Sequence, residues 1–168
     1  RSATALRELA ETLVALGRGA EAIPFYETLI EQAQEDTALG NAFMELGRLK
    51  LKTSGPTEDT IECFRRAVGV SSSYEALTGL GQAYYLSGDF DLAQLTFRRL
   101  ERMDGPIAVQ QVAVLGQMEA LLAAERPAEA MRRLKRLDRD ATLNKDGMER
   151  AARLLVEFSA MPRELHAV

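Results

Sequence analysis

The sequence has one cysteine, Cys63, and one histidine, His166. A single thiol excludes an internal disulfide. Two such residues also fall short of the four-ligand Cys/His set of a structural zinc site. Cys63 lies between Ile61 and Phe64 in a helical pattern, so a buried structural thiol is expected rather than a reactive one, which needs an exposed, electropositive setting. His166 stands close to the C-terminus, where a frayed tail is expected and a general base is not. No apolar run approaches the roughly 18–20 residues of a membrane span. No basic start leads into an apolar stretch, so no secretory signal is read in these residues and a cytoplasmic setting is expected, although an export signal could have been lost with residues before Arg1. The first residue is Arg1 rather than Met, and the chain is expected to be processed or cut from a longer protein. There is no Walker motif. Gly79-Leu80-Gly81 falls short of a dinucleotide fingerprint, because Tyr84 occupies the third glycine position and no strand precedes it. With no catalytic constellation, the chain is expected not to be an enzyme and to need neither cofactor nor metal.

Charge of one sign is also scarce. The formal net charge is −4, which argues against nucleic acid, whose binding draws on clustered Lys and Arg. The distribution is uneven: residues 1–62 carry 11 acidic and 6 basic side chains, whereas residues 63–168 carry 14 and 15. The two ends therefore present different fields to a partner. Nearly half of the residues are apolar, ample for a core, and 168 residues fit one domain.

The apolar periodicity is helical almost throughout. Leu6, Leu9, Leu13 and Leu16 follow a 3.6-residue rhythm, as do Ile23, Tyr26, Leu29 and Ile30. Sustained two-residue alternation is absent, which excludes a sheet. The breaks are short: Gly17-Arg18-Gly19, Thr53-Ser54-Gly55-Pro56, Ser87-Gly88-Asp89, Asp104-Gly105-Pro106 and Glu125-Arg126-Pro127. Asp36 or Thr37 is expected to cap the third helix. Ser72 and Glu75 read as a capping box, and Pro127 as a first-turn proline. The pattern predicts about nine helices, and the short connections make neighbours antiparallel.

Four copies of one pattern follow. Residues 74–106 are clearest, with Leu77, Leu80-Gly81, Tyr84, Gly88-Asp89-Phe90, Ala93, Phe97, Leu100 and Pro106. Residues 3–36 supply Leu6, Leu9-Ala10, Leu13, Gly17, Ala22, Tyr26 and Leu29. Residues 40–71 supply Phe43, Leu46-Gly47, Thr60, Phe64 and Ala67, with Lys50 in place of the tyrosine. Residues 111–140 supply Val114, Leu121, Ala130, Leu134 and Leu137, with Met118 at the small position and Gly116 two places early. Small residues let helices approach to about 8–10 Å between axes, and the large ones fill the space beside them. This pattern resembles the tetratricopeptide repeat. The resemblance implies an all-α, right-handed α-solenoid of about four helix-turn-helix repeats plus a C-terminal capping helix at about 145–161. Residues 1–162 then form a single repeat domain and residues 163–168 a frayed tail. In the capping helix Met148, Ala152, Leu155 and Phe158 are expected to face inward, with Glu149, Arg150, Arg153 and Glu157 outside.

The resemblance also implies a function: holding a peptide or helix of another protein in a concave groove lined by the first helix of each hairpin. The positions carried over are Arg7 and Glu11; Asn41, Met44, Glu45 and Arg48; Glu75, Thr78, Gln82 and Tyr85; and Val112, Leu115 and Glu119. Met44, Tyr85 and Leu115 are the expected apolar anchors, and Arg7 and Arg48 suit carboxylates. Family members that clamp a chaperone's C-terminal carboxylate use Lys, Asn and Arg where this chain has Arg7, Glu11, Glu45, Glu75 and Gly79. Three carboxylates there oppose such a ligand, so a peptide with apolar anchors and some basic residues fits better. An alternative role is a dedicated chaperone or assembly factor, like the small repeat chaperones of bacterial secretion systems. An alternative surface is the basic patch of Arg98, Arg99, Arg102, Arg132, Arg133 and Arg136 on the outer, convex side. Lys135 and Arg139 extend this patch, and Glu101, Glu129, Asp138 and Asp140 are interspersed.

Overall fold

A computed structural model describes residues 2–103, 105–140 and 144–160, the side chains of residues 138–140 excepted. The expected tail from residue 163, with His166, lies outside the described residues. Among the described residues there are nine helices and no strand. They fall into two compact units, Arg1–Ser87 and Gly88–Val168.

The first unit holds α1 (Ala3–Ala15), α2 (Gly19–Gln32), α3 (Asp36–Ser54), α4 (Glu58–Val70) and α5 (Tyr74–Ser87). Each helix packs on the next, and α3 also touches α5. The repeat positions account for this. Ala10 and Ala22 are fully buried, and their lack of bulk lets the helices close on each other. Tyr26, Leu46 and Phe64 fill the flanks, each burial stabilising by about 1.5–3 kcal/mol. Thr60 occupies the alanine position of the second repeat and is fully buried. Its hydroxyl is satisfied there, donating to the Gly55 carbonyl at 2.9 Å and lying 2.9 Å from Thr57 Oγ1, so it carries no desolvation penalty. At the repeat's tyrosine position two chemistries perform one task. Tyr84 on α5 accepts a 3.0 Å hydrogen bond from Arg65 Nε on α4. Lys50 on α3 instead reaches Asp59 at 2.6 Å and Glu27 on α2 at 3.6 Å.

The second unit holds α6 (Phe90–Glu101), α7 (Ile107–Ala123), α8 (Pro127–Asp140) and α9 (Lys145–Ala160). Helix α7 packs against α6, α8 and α9, and α9 also lies on α8. The capping helix thus covers α7 and α8, with Met148, Leu155 and Phe158 against their core. Ala152 departs from expectation: it is exposed, and Ala151 is buried in its place. One position of phase on a helix is 100°, enough to exchange the two faces.

Several helix starts also differ from expectation. Ser73, not Ser72, caps α5: its Oγ accepts from the Ala76 amide at 3.1 Å. Ser72 Oγ turns back and donates to the Val68 carbonyl at 3.1 Å, so the two serines serve opposite helix ends. Neither Asp36 nor Thr37 caps α3, whose N-cap is Glu35 with no side-chain hydrogen bond. Pro127 opens α8 as expected.

The glycines of the first helices sort out differently too. A Cβ on Gly79 would stand 2.3 Å from the Phe64 ring, and one on Gly116 would stand 2.7 Å from the Phe97 ring. These two glycines hold one repeat position, each against the aromatic of the preceding helix. Gly116 is therefore in register rather than early, and Met118 is accommodated as a fully buried core residue.

Candidate functional site

Helices α1, α2 and α3 enclose an open hollow of about 580 Å³ in the first unit. It exists because small residues face one another across it: Ala3 and Ala15 on α1, Ala38 and Ala42 on α3, and Ala33 after α2. Leu29, Val14 and Met44 add apolar wall. Five of the residues carried over by resemblance meet here: Arg7, Glu11, Asn41, Met44 and Glu45. Arg48 stands one turn beyond, and its Nη1 donates to Glu45 Oε1 at 3.0 Å. Among the described residues Arg7 and Glu11 have no ion-pair partner and the Asn41 amide no hydrogen bond.

Tyr26 was read from the sequence as a packing residue, and it does pack, at 4% exposure. It also lines the hollow. Its hydroxyl has no hydrogen-bond partner among the described residues. Burial pushes this phenol above its ordinary value, and the Glu45 and Glu11 carboxylates push it further, against smaller opposing effects of Arg7 and Arg48. The Tyr26 hydroxyl therefore opens into the hollow beside two carboxylates whose effect on it outweighs that of the two arginines. No single-residue signal announces this. The clue was the pairing of a large polar-tipped residue with a run of alanines on the facing helices.

The α5 positions do not join the hollow. Glu75 and Gln82 are exposed, and Thr78 and Tyr85 are half-buried on α5. On α7, Leu115 is 6% exposed and belongs to the core of the second unit. It is not an anchor offered to a partner, because α9 folds over that face. Val112 remains exposed. Glu119 and Leu115 border a smaller hollow of about 130 Å³, whose far wall is Arg150, Arg153, Leu154 and Glu157 of α9. Burial pushes the Glu119 carboxyl above its usual value, and Arg150 pulls it back, although its side chain still reaches solvent at the rim.

The outer basic patch also changes. Arg98, Arg99, Arg102, Arg132 and Arg136 are exposed, and Arg99 and Arg136 already have partners. Arg133 leaves the patch: its side chain is only 13% exposed, with Nη2 at 2.6 Å from Glu101 Oε1. The same carboxylate accepts from Gln117 Nε2 at 3.0 Å, and Gln117 is completely buried. Arg133 thus joins α8 to Glu101 on α6, and Gln117 joins α7 to the same carboxylate. The side chains of Asp138, Arg139 and Asp140 lie outside the described residues. Cys63 is buried, and burial pushes its thiol up, so it is a packing residue. Among the described residues no group of His, Cys, Asp and Glu is arranged to hold a metal, and no helix is long and apolar enough to cross a membrane.

Consecutive helix pairs that cross on small residues, with an open hollow on the first helices, define a helical repeat protein. Residues 5–38 match a tetratricopeptide repeat model, and residues 74–105 match a second. The chain therefore carries tetratricopeptide repeats at these two stretches. Repeats of this family are non-catalytic protein–protein interaction modules. No curated protein matches the chain.

Proposed function

We propose that the chain is an interaction scaffold and that the hollow between α1, α2 and α3 receives a peptide or helix of a partner protein. The observation that carries this reading is the hollow itself: about 580 Å³, open, with alanine, leucine and methionine walls and a rim of Arg7, Glu11, Asn41 and Glu45. Its volume falls in the range of about 300–1,000 Å³ typical of ligand sites. Apolar walls supply the affinity, and the rim groups, of which Arg7, Glu11 and Asn41 are uncommitted among the described residues, supply orientation.

A display library of peptides of about 12 residues, selected on the intact chain, tests the proposal. Ala38→Trp fills the hollow from a partly exposed position and should abolish binding of the selected peptides without lowering the melting temperature. Reversing the charge of Arg98, Arg102 and Arg132 should leave binding intact. If only the charge-reversed variant loses the peptides, the outer face is the site and the hollow is not.

A further inference from the structure

The partner of this hollow can be specified further, given that the hollow is the docking site. Three groups converge on its floor and rim: the Tyr26 hydroxyl, the Glu11 carboxylate and the Glu45 carboxylate. Tyr26 is more than nine-tenths buried, yet its hydroxyl is unpartnered among the described residues. The hydroxyl opens into the hollow, where solvent reaches it, so a ligand that seals the hollow must replace that solvent as its hydrogen-bond partner. Glu11 is exposed and has no ion-pair partner among the described residues. Glu45 gives only Oε1 to Arg48, and its second oxygen is left for a ligand.

We infer that the hollow seats a lysine or arginine side chain of the partner, its aliphatic stem against Leu29, Val14 and Met44 and its cationic head between Glu11, Glu45 and the Tyr26 hydroxyl oxygen. A long basic side chain has this divided character, an apolar stem with a charged end. The head donates several hydrogen bonds and accepts none, and all three groups can accept. An acidic residue in that place would meet two carboxylates. An apolar one would leave the hydroxyl and Glu11 without partners. Arg7 and Arg48 oppose a cation, but at the Tyr26 hydroxyl both carboxylates act more strongly than either guanidinium. The hollow is much larger than one side chain, so the basic residue comes flanked by apolar neighbours that occupy the alanine-lined remainder.

The test uses the intact chain and the displayed peptide library. Selection is run in parallel on the parent and on the Glu11→Gln/Glu45→Gln double variant, and the best parent binder is resynthesised with norleucine for its basic residue. Parent selection should enrich a Lys or Arg at one fixed position between apolar residues, and the double variant should not. The norleucine exchange should weaken binding to the parent by about tenfold, the scale of one charge-assisted hydrogen bond, and leave affinity for the double variant almost unchanged. Tyr26→Phe, nearly isosteric, should weaken the basic peptide by about threefold to fivefold and the norleucine peptide not at all. Enriched peptides without a fixed basic residue, or a norleucine penalty equal on both proteins, would overturn the inference. In that case Ala38→Trp still abolishes binding, and the docking reading stands on apolar contacts alone. If Ala38→Trp abolishes nothing, the docking reading itself has failed, and the basic-residue inference falls with it.

Discussion

Replacing Gly79 by alanine sets two effects of known sign against each other. Gly79 lies inside α5, and in a helix interior alanine is favoured over glycine by about 1 kcal/mol. The new methyl, however, stands 2.3 Å from Phe64 Cε1 and 2.7 Å from Cδ1, where ordinary carbon contacts need about 3.5 Å or more. Phe64 is fully buried, and the same Cδ1–Cε1–Cζ edge already lies 3.1 Å from where a Cβ on Gly47 would stand, so the ring is closely confined at that edge. Overpacking of a rigid core costs about 1–3 kcal/mol, occasionally more, and a clash this short belongs at the upper end. The expected net effect is a loss of about 1–2 kcal/mol, or roughly 2–8 °C in melting temperature for a chain of this size. Two controls isolate the cause. Gly69→Ala in α4 meets nothing within 4 Å, so it should gain up to about 1 kcal/mol. Gly47→Ala, with its 3.1 Å approach to Phe64, should fall between the two. Urea unfolding followed by circular dichroism reads all three. A Gly79→Ala protein as stable as the parent would refute the argument, because Phe64 would then be free to move and the glycine would not be required by packing.

Two further outcomes follow from particular residues. Glu125 has φ 56° at the turn between α7 and α8, where the corresponding turns of the first and third repeats use Gly17 at 75° and Gly88 at 87°. Glu125→Gly removes the strain of a left-handed non-glycine residue and should raise stability by about 0.5–1 kcal/mol, net of glycine's larger unfolded-state freedom, read as a higher denaturant midpoint. Arg133→Ala removes the ion-pair partner of the largely buried Glu101 carboxylate, but Glu101 keeps its hydrogen bond from Gln117 and the buried Arg133 Nε and Nη2 have no hydrogen-bond partner to lose, so the cost should be about 1–2 kcal/mol. The exposed Arg132→Ala should change stability by less than about 0.5 kcal/mol. Equal effects at the two arginines would place Arg133 on the surface patch after all.

Reading Arg133 with the patch was a reasonable consequence of its neighbours. Arg132, Arg133, Lys135 and Arg136 form a dense run of charge, and nothing local distinguishes the one side chain that turns inward. What selects it is Glu101, more than 30 residues away in sequence, together with the buried amide of Gln117. Leu115 shows the same limit from the apolar side. Its phase on α7 would put it on the groove wall if nothing lay over it, and α9 does lie over it.

The sequence by itself determined the helices, most of their breaks, the pairing of neighbours and the repeat family. These properties are local. A 3.6-residue apolar rhythm, glycines at turns and small residues at fixed offsets are each decided within a few turns of chain. That five of the positions carried over by resemblance line one hollow has the same origin, since a residue's face follows from its phase on α1 or α3. Only the tertiary structure decided which glycine meets Phe64, which arginine is buried, and that the alanines of α1 and α3 leave a hollow around the Tyr26 hydroxyl. Each of these depends on how far one helix stands from the next, and that distance is set by the summed volumes of side chains from several helices at once.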